Sequence, residues 1–126
     1  MSRKFVHLRF HSEYSVTDGI VRLDPMLEEA VRRGDVALGL TDNMNIFGGL
    51  RFFTHALADG IKPILGCDIW ITNDKKEANG DRGIPFRLTL YCMNHTGYLS
   101  LCNLLSKAWM ENQYFCLLYT SPSPRD

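Results

Sequence analysis

The chain has 126 residues, 45% hydrophobic and 22% charged, with 14 lysines and arginines against 14 aspartates and glutamates. That length suits one small domain or part of a larger one, and the composition excludes a disordered chain. A net charge of zero excludes a global pull towards nucleic acid, and no apolar run is long enough to span a bilayer or serve as a secretory signal.

Residues 5–10 alternate in polarity and predict a strand. Asp24 and Pro25 predict a helix start, Asp24 as N-cap and Pro25 at the first helical position. Met26, Leu27, Ala30 and Val31 follow at helical spacing, and Gly34 stands where a C-terminal cap is expected. Residues 36–40 form a short apolar run that predicts a buried strand. Gly48 and Gly49 lead into a second helix whose apolar face is expected at Leu50, Phe53 and Leu57, with Ala56 beside it, and Gly60 ends it. Residues 64–71 predict a third strand, residues 72–83 an exposed polar loop, and residues 86–93 a fourth strand. A helix then begins near Thr96 and carries Leu99, Leu101, Leu104, Leu105, Ala108 and Trp109. The order βαβαβ, loop, βα predicts an α/β fold with a mainly parallel sheet and right-handed crossovers. It has too few strands to close a barrel.

Cys67, Cys92, Cys102 and Cys116 form no CxxC pair; they read as small buried hydrophobes in a reducing cytosol. Residues 116–126 break from the pattern, with prolines alternating with serines directly after a helix. One choice of codons for them spells the end sequence of a transposase-type sequencing adapter. The expectation is therefore a domain over residues 1–115 and a non-native tail over 116–126.

In parallel α/β folds chemistry sits at the carboxyl ends of strands. Here those ends offer His11-Ser12-Glu13, then Thr41-Asp42-Asn43, then Asn94-His95, with Cys67-Asp68 inside the third strand. Each residue has two readings. His11 is a ligand or a turn cap. Asp42 is a site residue or the shaper of an Asx turn. Asp68, inside an apolar strand, needs a partner if buried, which gives a site or a buried network. His95 belongs to a helix entry or is a ligand. No GxGxxG, P-loop or GxSxG motif is present.

The segments 5–15 with Asp18-Gly19, 40–48, 60–68 and 94–98, the last followed by Leu101, Leu104, Ser106, Lys107 and Ala108, resemble in order and spacing the motifs of the PHP (polymerase and histidinol phosphatase) domain family. The resemblance covers about residues 4–115, and its last segment resembles that of one branch, at the N-terminus of bacterial DNA polymerase III alpha subunits. It implies the N-terminal part of a PHP-type (β/α) barrel, incomplete here. Active members of the family hold metal ions for phosphoester hydrolysis with an HxH pair, an aspartate-histidine step and a glutamate. This sequence departs at each point: Arg9 stands for the first histidine of HxH with His11 kept, Asn43 follows Asp42 in place of histidine, and Asp68 replaces the glutamate.

A guanidinium cannot ligate a cation and adds positive charge where cations would bind. An asparagine oxygen is a weak neutral ligand, and aspartate is one methylene shorter than glutamate. Arg9, His11, Asp18, Asp42, Asn43 and Asp68 thus mark a degenerate cleft in which Arg9 is free to pair with Asp68 or Asp42. The resemblance then implies a cytoplasmic replicase subunit that performs DNA-directed DNA synthesis when intact. Its catalytic residues and Mg2+ would lie in a palm domain absent here, as would its DNA contacts, and this segment has no cofactor or membrane association of its own. The PHP portion is expected to be a metal-free scaffold and docking surface for the proofreading exonuclease and other replicase subunits. The alternative is a free-standing, metal-dependent PHP phosphoesterase.

Overall fold

Two glycines in left-handed conformation, Gly34 at φ +74° and Gly60 at φ +76°, end the first two helices and set the spacing of everything between them. In the computed structural model, which describes residues 5–15, 19–72, 86–111 and 117–119, a 3₁₀ turn η1 (Glu13–Ser15) precedes helix α1 (Leu23–Arg33), strand β1 (Ala37–Asn43), helix α2 (Gly49–Ala58), strand β2 (Lys62–Thr72), strand β3 (Phe86–Tyr91), helix α3 (His95–Glu111) and strand β4 (Leu117–Tyr119). Past each glycine an amide bonds back five residues, Asp35 to the Ala30 carbonyl at 3.0 Å and Ile61 to that of Ala56 at 2.8 Å. These are Schellman closures that satisfy the last carbonyls of each helix.

β1 and β2 pair in parallel from Ala37 opposite Lys62 to Asn43 opposite Asp68. β4 also runs parallel to β2, at Trp70 to Thr72, and lies within the segment expected to be a non-native tail. β3 runs antiparallel to β2, with Thr89 opposite Asp68. The sheet is thus α/β and mainly parallel, with one reversed strand. The expected loop over 72–83 lies outside the described residues apart from Thr72, which ends β2.

The pleat sorts the side chains, because paired residues share a face and neighbours alternate. Leu38, Leu40, Leu65, Cys67 and Ile69 share one face by register. Leu38 and Leu40 pack with Leu23, Met26, Leu27 and Ala30 of α1 and Phe52 and Ala56 of α2, while Cys67 and Ile69 pack with Leu101, Leu105 and Ala108 of α3. Phe52 is fully buried, worth about 2–3 kcal/mol of apolar transfer. The opposite face carries Thr41, Asn43, Asp68 and Thr89.

Several expectations change. α1 begins at Leu23 with Arg22 at the cap and no side-chain cap bond; Asp24 instead pairs with Arg51 and His55 of α2, and Leu23, not Val31, completes the buried stripe. α2 buries Gly49, Phe52 and Ala56 and leaves Leu50, Phe53 and Leu57 exposed. The helix has two apolar stripes, and the one with small residues at its ends fits closest to the sheet. β1 extends to Asn43, so Thr41 and Asp42 lie inside it.

Residues 5–10 form no regular strand. They run beside β1 through Gly39 N–H to the His7 carbonyl at 2.7 Å and Thr41 N–H to that of Phe10 at 2.8 Å. Three residues of one segment thus span two of the other, so the extra residue arches and breaks the ladder. The arch turns the Leu8 carbonyl over Gly39, where a Cβ would collide with it, and there the carbonyl accepts from the Tyr91 hydroxyl at 2.8 Å.

Gly39→Ala therefore forces the backbone of Leu8 away. A loss of about 1–3 kcal/mol is expected from this overpacking, read as a lowered urea midpoint; an unchanged midpoint would mean that the arch is not held as described.

Candidate functional site

Asp68 lies in the interior of β2 and is 0% exposed. A carboxylate there must find donors, because an unpaired charge in such surroundings is costly. Two segments supply them. The arch brings Arg9, whose Nε and Nη2 donate to Oδ2 at 2.9 and 2.8 Å. The end of the arch brings His11, whose Nε2 stands 2.5 Å from the same oxygen. β3 brings Thr89, whose hydroxyl donates to Oδ1. Burial pushes the Asp68 carboxyl up, but the hydrogen bonds from Arg9, Thr89 and His11 and the charge of Arg9 outweigh it, so it is held below the usual carboxylate range.

Asp42 is out of phase with Asp68 by one residue, so the pleat sends it to the other face. There the Ser12 amide and hydroxyl donate to it at 2.6 and 2.7 Å, and the Ser15 hydroxyl at 2.9 Å. Ser15 Oγ in turn accepts the Asn43 amide at 3.0 Å. Asp42 therefore fixes the η1 turn from across the sheet; it makes no Asx turn on its own backbone.

Between them Cys67 Sγ contacts the Asp42 carbonyl at 3.2 Å. Burial first, and the two flanking carboxylates with it, push its thiol up to about 12, so it is an inert core group, as the composition suggests. Immediately beyond Asn43, Met44 holds φ +55°, unfavourable for a side chain of this kind. Its amide bonds to the Asp68 carbonyl and its carbonyl accepts Trp109 Nε1, each at 2.8 Å.

Of the residues named from sequence, Arg9, His11 and Asp68 converge, Asn43 stands beside Asp68 in register, and Asp42 serves the opposite face. Asp18 lies outside the described residues. Because β3 is reversed, Asn94 and His95 fall beyond the far end of the register. Asn94 Oδ1 accepts the Gly97 amide at 2.8 Å and caps α3, and His95 stacks on Tyr98. Sequence reasoning missed the partners Ser15 and Thr89, whose types are too common to stand out, and left Ser12 without a role.

Among the described residues the polar groups of the cleft are engaged with one another. Asp68 Oδ2 already takes Arg9 and His11, Asp42 is saturated by serines, and a guanidinium repels cations. Asn43 Oδ1 is buried without a hydrogen-bond partner, but one neutral amide oxygen is a poor site alone. No group of three or more His, Cys, Asp or Glu among the described residues is arranged to hold a metal.

The family model for the PHP domain matches residues 7–125. The chain is 39% identical over 113 residues to DNA polymerase III subunit alpha of Pseudomonas aeruginosa, covering 90% of this chain and 9% of that one. It is 43% identical over 116 residues to the Pasteurella multocida subunit, covering 92% and 10%, and 37% identical over 117 residues to that of Thermus aquaticus, covering 88% and 10%. The chain thus spans about a tenth of the length of these relatives. Among solved structures, an amidohydrolase from Chromobacterium violaceum with bound sulfate and no metal aligns with TM-score 0.55 at 16% identity, covering 86% of this chain and 36% of that one, a likeness of fold.

A carboxyl held low in the folded state contributes stability that is complete above its unfolded value, near pH 4, and is lost as pH falls through the lower folded value. Urea midpoints for the parent chain are expected to drop more steeply below about pH 4 than those of Asp68→Asn. Parallel acid limbs would show that the Asp68 network carries no such linkage.

Proposed function

The chain belongs to the PHP domain family, and from that premise we propose that it is the N-terminal portion of a bacterial DNA polymerase III alpha subunit whose PHP cleft is a metal-free scaffold. The similarity to alpha subunits over about nine-tenths of the chain supports the polymerase branch. The observation that carries the scaffold reading is the Arg9 guanidinium on Asp68 Oδ2: the cation that balances this carboxylate is part of the chain itself. In the intact protein, DNA-directed DNA synthesis and its Mg2+ belong to a palm domain outside this segment, together with the DNA contacts.

The docking role for the proofreading exonuclease and other replicase subunits is supported by an apolar stripe without a partner among the described residues: Leu50, 78% exposed, with Phe47, Phe53 and Leu57. A patch of this kind on a helix face marks an interaction surface. No helix among the described residues is long and apolar enough to cross a membrane. We further propose that residues 116–126 are an adapter-derived tail on a domain over 1–115. Reading the natural gene onward past Phe115 tests both points: a frame continuing into a polymerase palm supports them, and a stop soon after a completed barrel favours a free-standing phosphoesterase.

After incubation with Mn2+ or Zn2+ and gel filtration, metal analysis of the chain is expected to find far less than one equivalent. Arg9→His combined with Asn43→His and Asp68→Glu is expected to retain more. Stoichiometric metal on the parent chain, or manganese-dependent phosphatase activity, would overturn the scaffold reading.

A further inference from the structure

We propose that Trp109 is a latch: its indole holds Met44 in a left-handed turn, and its release lets the end of β1 come away from β2 beside Asp68. Met44, one residue past Asn43, stands at φ +55°, where a side chain crowds the backbone. Its neighbours are not free to take up the turn. Asn43 is in register opposite Asp68, with its amide on Ser15 Oγ at 3.0 Å. Asn45 is buried, and its Nδ2 donates to the carbonyls of Tyr14 at 2.7 Å and Asn43 at 3.1 Å. The change of direction therefore falls on Met44.

The two peptide planes that meet at Met44 are each held by a hydrogen bond to another element. The amide donates to the Asp68 main-chain carbonyl at 2.8 Å, and the carbonyl accepts Trp109 Nε1 at 2.8 Å. The side chain is anchored separately. It lies in the core with Ile69, Leu101 and Leu105, and its Sδ accepts the Trp70 amide at 3.2 Å. That anchoring holds the side chain, whereas the planes are held by the two bonds. The first bond lies within the sheet. The second reaches across from α3, from a residue that is 45% exposed, so on release the indole N–H passes to water at little cost. Relief of the strained φ favours the same direction. Once the carbonyl is released its plane turns, and the amide bond to Asp68 goes with it. A contact that takes up the indole N–H at the surface thus reaches the strand end beside Asp68. No charged side chain takes part, so the latch stands whichever way metal analysis of the chain falls.

The test is amide hydrogen exchange, read by NMR, on the whole chain and on Trp109→Phe, which keeps an aromatic ring and removes the donor. The Met44 amide is expected to exchange about tenfold faster in the variant, the loss of one hydrogen bond, while the amides of Leu105 within α3 and Ile61 past α2 keep their rates. A second replacement keeps the packing whole: benzothienylalanine at position 109 has both rings of tryptophan with sulfur in place of the N–H, and is expected to give the same selective rise. Where the two replacements differ, the second decides. Unchanged exchange at Met44 overturns the latch. A uniform rise at all three amides, or loss of the fold, makes Trp109 a packing group and overturns it as well.

Discussion

A charged carboxylate in the middle of a sheet is the constraint on which the rest of this structure depends. Asp68 is fully buried in β2, and each of its partners comes from elsewhere in the chain: Arg9 and His11 from the arch, Thr89 from the reversed strand. Removing one partner from such a group is destabilising, because the remaining charge is left less well compensated. The carboxylate therefore dictates geometry. β3 must place Thr89 opposite it, and the arch must approach β1 closely enough to reach over Gly39. Asp42 applies the same demand to the other face, where Ser12 and Ser15 answer it. Two carboxylates one register position apart thus pin the N-terminal segment on both sides of β1 and β2.

The same constraint separates this cleft from a metal centre built on the same fold. In a metal centre the ion balances the carboxylates, and the protein has only to present them. Here the balancing cation is Arg9, whose side chain also spans from the arch to the sheet. The exchange changes what the cleft offers to solvent, since a guanidinium presents donors whereas a metal ion presents open coordination positions. Membership of the PHP domain family therefore places the cleft without assigning its chemistry, which has to be argued from the side chains present.

The C-terminal ends of the first two helices and the buried strands were legible in the sequence. Gly34 and Gly60 follow their helices because only a residue without Cβ accepts φ near +75° at little cost, and the apolar runs of β1 and β2 needed no partner to be seen. The buried stripe of α2 was not legible: Leu50, Phe53 and Leu57 outweigh Gly49, Phe52 and Ala56 in hydrophobicity, yet close approach to the sheet selects the small residues. The direction of β3 was hidden because period-two alternation carries no sign. With the direction went the place of Asn94 and His95, which cap and stack on α3. The site was legible as residue types and as spacing. The face of each carboxylate follows from register parity, which separates Asp42 from Asp68 once β1 is known to reach Asn43.

The departures from the metal-binding pattern are best understood as one coupled set. A buried carboxylate with neither a metal nor a cationic side chain beside it would be an uncompensated charge, and here Arg9 supplies the compensation. Arg9 beside a complete ligand set would in turn repel the ions that the set exists to hold. The present arrangement satisfies both conditions: Asn43 is neutral and stands beside Asp68, His11 is kept but turned to the carboxylate, and Asp68 is oriented by Arg9 and Thr89 together. Changing any one of these residues back towards the metal-binding pattern leaves the others tuned to a different charge balance. Arg9, His11, Thr89 and Asp68 are therefore coupled, which is the behaviour of a polar network whose members are not independent.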